Sequence, residues 1–304
     1  MGIAAGGWLL LGVALHVANQ VTRGRGWFAL VRTACDGRCG LRRRDAIAAW
    51  VAGAGAGGLV SARGGDAVRV LLLRRRLPDE GCPLLAGTLV AEGAGEMAIG
   101  ALVLAVAVSF GVGPQLGAST TLLAALGAGA VALVALALIA RRVPRLSRIL
   151  AGVRRGCAPL RSPGAYARGV LPWQLASRAC RLGSLACFLA AFGVPVSFAA
   201  VLLVAFAQGG GRLVPFAPAS VGASVALLAA SFGPVTGSTV SPERLAAFFI
   251  GTSTVLTVVG TGLALAICLR SQASAKAGRR AGRLVAEAVA GRPALARAAT
   301  VPTP

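Results

Sequence analysis

Five stretches of this chain, residues 1–22, 97–140, 182–211, 213–242 and 245–269, contain no aspartate, glutamate, lysine or arginine. A hydrocarbon core takes about 20 apolar residues per spanning helix, so each stretch is long enough to cross a bilayer. Only 13% of the residues are charged and the mean hydropathy is +0.78, against about 25% charged residues in ordinary soluble domains. Water-soluble folds are excluded, and the expected class is all-α: a polytopic transmembrane helical bundle.

The charge lies between the apolar stretches. Seven arginines fall in 22–45, five in 63–76, eight in 141–168 and seven basic residues in 270–297, out of 31 in all against nine acidic ones. A net charge of +22 would suggest nucleic acid in a soluble protein. Here the blocks follow the positive-inside pattern of cytoplasmic loops facing anionic lipid, and no nucleic-acid partner is expected.

Residues 2–22 have no basic residue before them and an arginine block after them, the reverse of a signal peptide. They are expected to form a retained helix with Arg23 onward in the cytoplasm. Residues 46–62, short, glycine-rich and flanked by arginines, are expected to dip in from the cytoplasm and return through Ser61 to Arg76. A hairpin of 84–111 and 118–140, broken at Gly111–Gly117, leads to an arginine-rich cytoplasmic loop, 141–168, punctuated by Pro144, Pro159 and Pro163. A helix over 172–192 follows, then a second re-entrant pair, 197–213 and 219–232, entered from outside. The last helix is 244–269. Residues 271–304 form a basic tail, expected to be disordered or a surface helix.

These segments make one membrane domain, 1–270, with halves of about 1–140 and 170–270 joined by the basic loop. Each half holds a helix and then a broken element, entered from opposite sides. That is an inverted-topology repeat, and broken helices at matching positions point to a midplane binding site. The plainer alternative is a bundle with glycine for packing.

Catalytic chemistry finds little support. The run Gly53-Ala-Gly-Ala-Gly57-Gly58 mimics a dinucleotide loop without a βαβ unit. The single histidine, His16, lies in an apolar helix, and Cys35 and Cys39 lack the further ligands of a zinc site. No metal and no cofactor is expected. What remains is the set of ionisable residues at membrane depth, where function is the first reading. Glu92 and Glu96 share one helix face, Arg63, Asp66 and Arg69 lie on the return of the first broken element, and Arg212 has 30 uncharged residues on either side. Arg178, Arg181 and Arg244 read equally well as structural ion pairs or snorkelling groups.

The segment Arg63-Gly-Gly65-Asp66-Ala-Val-Arg69 resembles the conserved Pro-Gly-Arg-x-Gly-Glu/Asp-x-x-Arg loop of the lysylphosphatidylglycerol synthase transmembrane region family, with Ser61 and Ala62 in place of the Pro and first Gly. Glu92-Gly-Ala-Gly-Glu96 is similar to the family's Glu-Arg-x-x-Asp helix start. Pro215-Phe-Ala-Pro218-Ala-Ser-Val-Gly222 is similar to its Pro-x-x-Pro-Gly-Gly-x-Gly turn, and Arg25-Gly-Trp27 to its Arg-Trp pair. By this resemblance the family's usual first helix is expected to be missing from this chain. The resemblance implies a flippase-like domain in which Gly65, Pro215, Pro218 and Gly222 shape turns. The 34 residues after Arg270 leave no room for the aminoacyl-transfer domain of the characterised relatives, so no enzyme is expected.

The expected activity is translocation of a phospholipid or glycolipid across the cell membrane by a multi-pass protein. Arg63, Arg69 and Arg212 would bind phosphate, while Asp66, Glu92 and Glu96 would hold those arginines and receive a cationic headgroup. Arg212 would meet one of these carboxylates at the midplane. The alternative is a non-transporting scaffold that partners a lipid-modifying enzyme or a glycosyltransferase.

Overall fold

The computed structural model describes residues 3–37, 39–59, 62–109, 144–210 and 217–290. Among them are ten α-helices: α1 (Ile3–Ala34), α2 (Arg43–Leu59), α3 (Ala62–Arg74), α4 (Cys82–Ser109), α5 (Pro144–Gly156), α6 (Pro163–Gly169), α7 (Leu171–Ala191), α8 (Phe198–Gly210), α9 (Ala217–Thr236) and α10 (Pro242–Ala290). The protein is all-α as expected. Three helices, over Ala4–Ala34, Cys82–Val103 and Pro242–Arg270, are long and apolar enough to cross a membrane. The expected segment 118–140 lies outside the described residues.

Three features differ from the charge-based layout. Helix α1 does not end at Arg23; it runs through Arg23 and Arg25 to Ala34. Its 32 residues extend about 48 Å, and Arg23 and Arg25 are accommodated by Glu92 and the Trp173 ring on other helices. The basic stretch 141–168 is not an irregular loop, because it contains α5, a 3-10 turn over Ala158–Arg161, and α6. Pro144, Pro159 and Pro163 stand in the first turns of these helices, where a missing N–H breaks no hydrogen bond; they start helices rather than interrupt a loop. The last helix passes the charge boundary at Arg270 and stays helical to Ala290.

Two apolar cores hold the bundle. One joins Trp27, Trp50, Leu73 and Leu85 from α1–α4; the other joins Phe188, Leu203, Phe232 and Phe248 from α7–α10. Helices α1 and α7 pack side by side between them. There Ser184 Oγ donates to the Gly12 carbonyl at 2.7 Å.

The α2–α3 pair positions the site. Contacts between Gly57 and Gly65, Gly53 and Gly65, and Gly53 and Arg69 show α3 returning antiparallel along α2. A Cβ at Gly65 would overlap the Gly53 carbonyl oxygen and sit 3.0 Å from Gly57 Cα. Gly65 is therefore helical and serves close packing instead of forming a turn. Helix α10 crosses the far face of α2 at a similar contact, where a Cβ on Gly55 would overlap the Gly260 carbonyl oxygen. The glycine run of α2 thus lets two helices approach it at backbone distance.

Candidate functional site

Helices α1, α2, α3, α4 and α10 enclose a cavity of about 520 Å³, within the 300–1,000 Å³ range of small-ligand sites. Its composition follows from helical periodicity. His16, Gln20 and Arg23 are spaced i, i+4 and i+7 and line one face of α1; Asp66 and Arg69 come from α3, and Glu92 from α4. The glycines of α2 and Leu256, Thr257 and Gly260 of α10 complete an uncharged wall.

Two guanidinium–carboxylate pairs form the polar wall. Arg23 donates to Glu92 Oε1 from Nη2 at 2.5 Å and from Nε at 3.0 Å, with side-chain exposures of 18% and 9%. Arg69 Nη1 donates to Asp66 Oδ1 at 2.5 Å. Both guanidinium groups also lie over the buried Trp50 ring, Arg69 at 3.9 Å and Arg23 at 5.0 Å from its centroid, a cation–π arrangement that steadies them. Trp50 is held by its Nε1–H, which donates to Gln20 Oε1 at 3.3 Å. The indole of Trp27 donates to Thr88 Oγ1 at 2.9 Å, tying α1 to α4 beside the site.

The pairs leave donor capacity over. Arg69 Nε is buried without a hydrogen-bond partner, an arrangement that costs about 1–3 kcal/mol. Phosphate oxygens suit guanidinium donors of this geometry.

The structure separates residues that the sequence groups together. Glu92 faces the cavity, whereas Glu96 turns to α7 and accepts from Arg178 Nη2 at 3.1 Å. Glu96 does not line the cavity. A polar buttress supports Glu92 from behind. Gln174 Nε2 donates to the Glu92 carbonyl at 3.3 Å, and Tyr166 Oη donates to Gln174 Oε1 at 3.0 Å. Burial pushes the Tyr166 hydroxyl above its ordinary range, which keeps it a donor.

Arg63 lies in the first turn of α3, and its side chain is outside the described residues, as are Arg212 and Pro215. Asp66, Glu92 and Glu96, the partners expected for Arg212, are each bonded to another arginine. Pro218 and Gly222 are helical residues of α9 and not a turn. Arg23, Gln20 and Trp50 are site residues that charge patterning misses. The i, i+4, i+7 spacing of polar residues along α1 is the signal that locates the first two.

The family described as lysylphosphatidylglycerol synthase TM region matches residues 3–264. No curated protein and no solved structure matches the chain.

Proposed function

The chain belongs to the lysylphosphatidylglycerol synthase TM region family, an integral membrane protein related to lipid-handling proteins, and from that footing we propose that it is a lipid flippase of the cell membrane and not an enzyme. The headgroup of a phospholipid or glycolipid enters the cavity while its acyl chains stay in the bilayer. Arg69 and Arg23 receive the phosphate; Glu92 and Asp66, released from those arginines, receive a cationic group where the headgroup carries one. The observation that carries this reading is the cavity wall of two ion pairs with Arg69 Nε unpartnered.

In this reading α2–α3 and α8–α9 are the re-entrant elements of an inverted repeat, each following one of the packed helices α1 and α7. Arg42 and Arg74, at the two ends of the first hairpin, then share the cytoplasmic side. Single cysteines placed at these positions in a cysteine-free background should both be blocked by an impermeant reagent only from the cytoplasmic face. Labelling of one of them from outside would make α2 a crossing helix and dissolve the repeat.

Transport is tested in vesicles holding a fluorescent phosphatidylglycerol, with an impermeant quencher reporting lipid reaching the outer leaflet. Wild type should accelerate exchange over protein-free vesicles. Arg69→Ala should lower the rate at least about tenfold, the effect of losing charge-assisted hydrogen bonds of about 1.5–3 kcal/mol, and Arg69→Lys should keep part of it because the fork is lost but the charge remains. Lipid binding without exchange by wild type would favour the scaffold.

A further inference from the structure

His16 is the only histidine in the chain, and it lines the same cavity as the two ion pairs. Its hydrogen bonding fixes its resting charge. The indole N–H of Trp50 can only donate, so the Gln20 oxygen must face Trp50, and the Gln20 NH2 must face His16. Gln20 Nε2 is 3.3 Å from His16 Nε2. An amide nitrogen donates and does not accept, so this imidazole nitrogen is bare and the ring is neutral.

Protonation of Nε2 is incompatible with that chain of bonds. The imidazolium N–H needs an acceptor, which Gln20 supplies only by rotating its amide. The rotation turns the NH2 group toward the Trp50 N–H, donor against donor, and the Trp50–Gln20 bond is lost. Trp50 carries both Arg23 and Arg69 on its ring. A proton on His16 therefore releases the ring that holds the two guanidinium groups in their resting pairs and frees them to turn to an anion.

Among the described residues Arg181 of α7 acts on His16 electrostatically, Arg23 lies two turns further along α1, and Asp66 and Arg69 of α3 and Glu92 of α4 line the same cavity. Helices α2 and α10 bring no titratable side chain to the cavity wall among the described residues. The two ion pairs cancel in charge. An anionic phosphate added to this wall changes the balance around the ring toward the imidazolium.

We propose that His16 is a proton-binding site coupled to the headgroup site, so that a proton and an anionic headgroup occupy the cavity together. This rests on the reading of the cavity as a headgroup site. Coupling is reciprocal: the headgroup favours the proton, and the proton favours the headgroup. The proton comes from the aqueous side to which the cavity is open and leaves with the lipid, which makes the transport proton-linked.

The lone histidine gives one pair of ring resonances, Nδ1 and Nε2, in protein labelled with ring-15N-histidine and purified on a histidine-free tag. Its titration is followed in dodecylmaltoside with and without dihexanoylphosphatidylglycerol. The midpoint should rise by about one pH unit or more when the lipid is present, the size expected of an opposite charge placed nearby, and should not rise in Arg69→Ala. A midpoint that the lipid leaves unmoved, or moves equally in both proteins, overturns the proposal. In vesicles, His16→Gln, which hydrogen-bonds but takes no proton, should exchange lipid equally at about pH 4.5 and about pH 7, whereas wild type should differ between them, because burial and Arg181 disfavour the imidazolium. The same pH profile in both proteins also overturns it. If wild type moves no lipid but its His16 midpoint responds to lipid, the flippase reading fails and the proton linkage stands. An unmoved midpoint with intact exchange has the opposite meaning.

Discussion

Arg23→Ala should destabilise the folded protein by about 3–5 kcal/mol, the usual penalty for stranding one member of a buried ion pair. Glu92 keeps no other guanidinium at hydrogen-bond distance among the described residues, because Arg69 is bonded to Asp66 and Arg178 to Glu96. The double substitution Arg23→Met with Glu92→Gln should recover most of that loss, since it removes both charges and keeps similar volumes. Neither protein should move lipid. Thermal unfolding in detergent of Arg23→Met, Glu92→Gln and the double variant gives the coupling directly. A double variant no more stable than Arg23→Ala would show that the pair is not what holds α1 to α4.

Gly55→Ala carries the second large effect, and its sign runs against local propensity. In a helix interior, alanine is favoured over glycine by about 1 kcal/mol. At this position the new Cβ would overlap the Gly260 carbonyl oxygen and lie 2.7 Å from Ala264 Cβ. Backbone cannot yield as a flexible side chain does, so α10 must move off α2, with overpacking costs of about 1–3 kcal/mol. Because α10 supplies one wall of the cavity, lipid exchange should fall as well. Gly260→Ala is the internal control. Its Cβ would meet nothing nearer than Gly55 Cα at 3.5 Å, an ordinary contact, so it should melt at or above the wild-type temperature. Equal destabilisation by both alanines would mean that the helices do not cross as described.

How much of this was legible in the sequence depends on whether a feature is local. The helix over 172–192 is found at Leu171–Ala191, since its ends are marked by Pro172 and by Gly193, which adopts a φ of +66°. The glycine-rich hairpin is legible for the same reason: short apolar length and arginines on both sides are properties of one segment. Arg23 is different. Its burial depends on Glu92, 69 positions away, and on the face of Trp50, neither of which a charge block reveals. Glu92 and Glu96 show the converse. Their spacing predicts one face, but α1 and α7 both contact α4 and draw the two carboxylates to different partners. Proline carries the remaining ambiguity, because a proline that starts a helix and one that ends it look alike until the hydrogen bonds are seen.

In the proposed transport the headgroup passes between α1, α2–α3, α4 and α10. A phosphatidylglycerol carrying a photoactivatable group on its headgroup, crosslinked in membranes and mapped by peptide mass spectrometry, tests this most directly. Adducts are expected on the cavity-lining segments 16–23, 51–69, 89–93 and 256–263, lost in Arg69→Ala. Adducts confined to the basic stretch 145–168 and unchanged in Arg69→Ala would contradict it, because the lipid would then meet only the protein's charged surface.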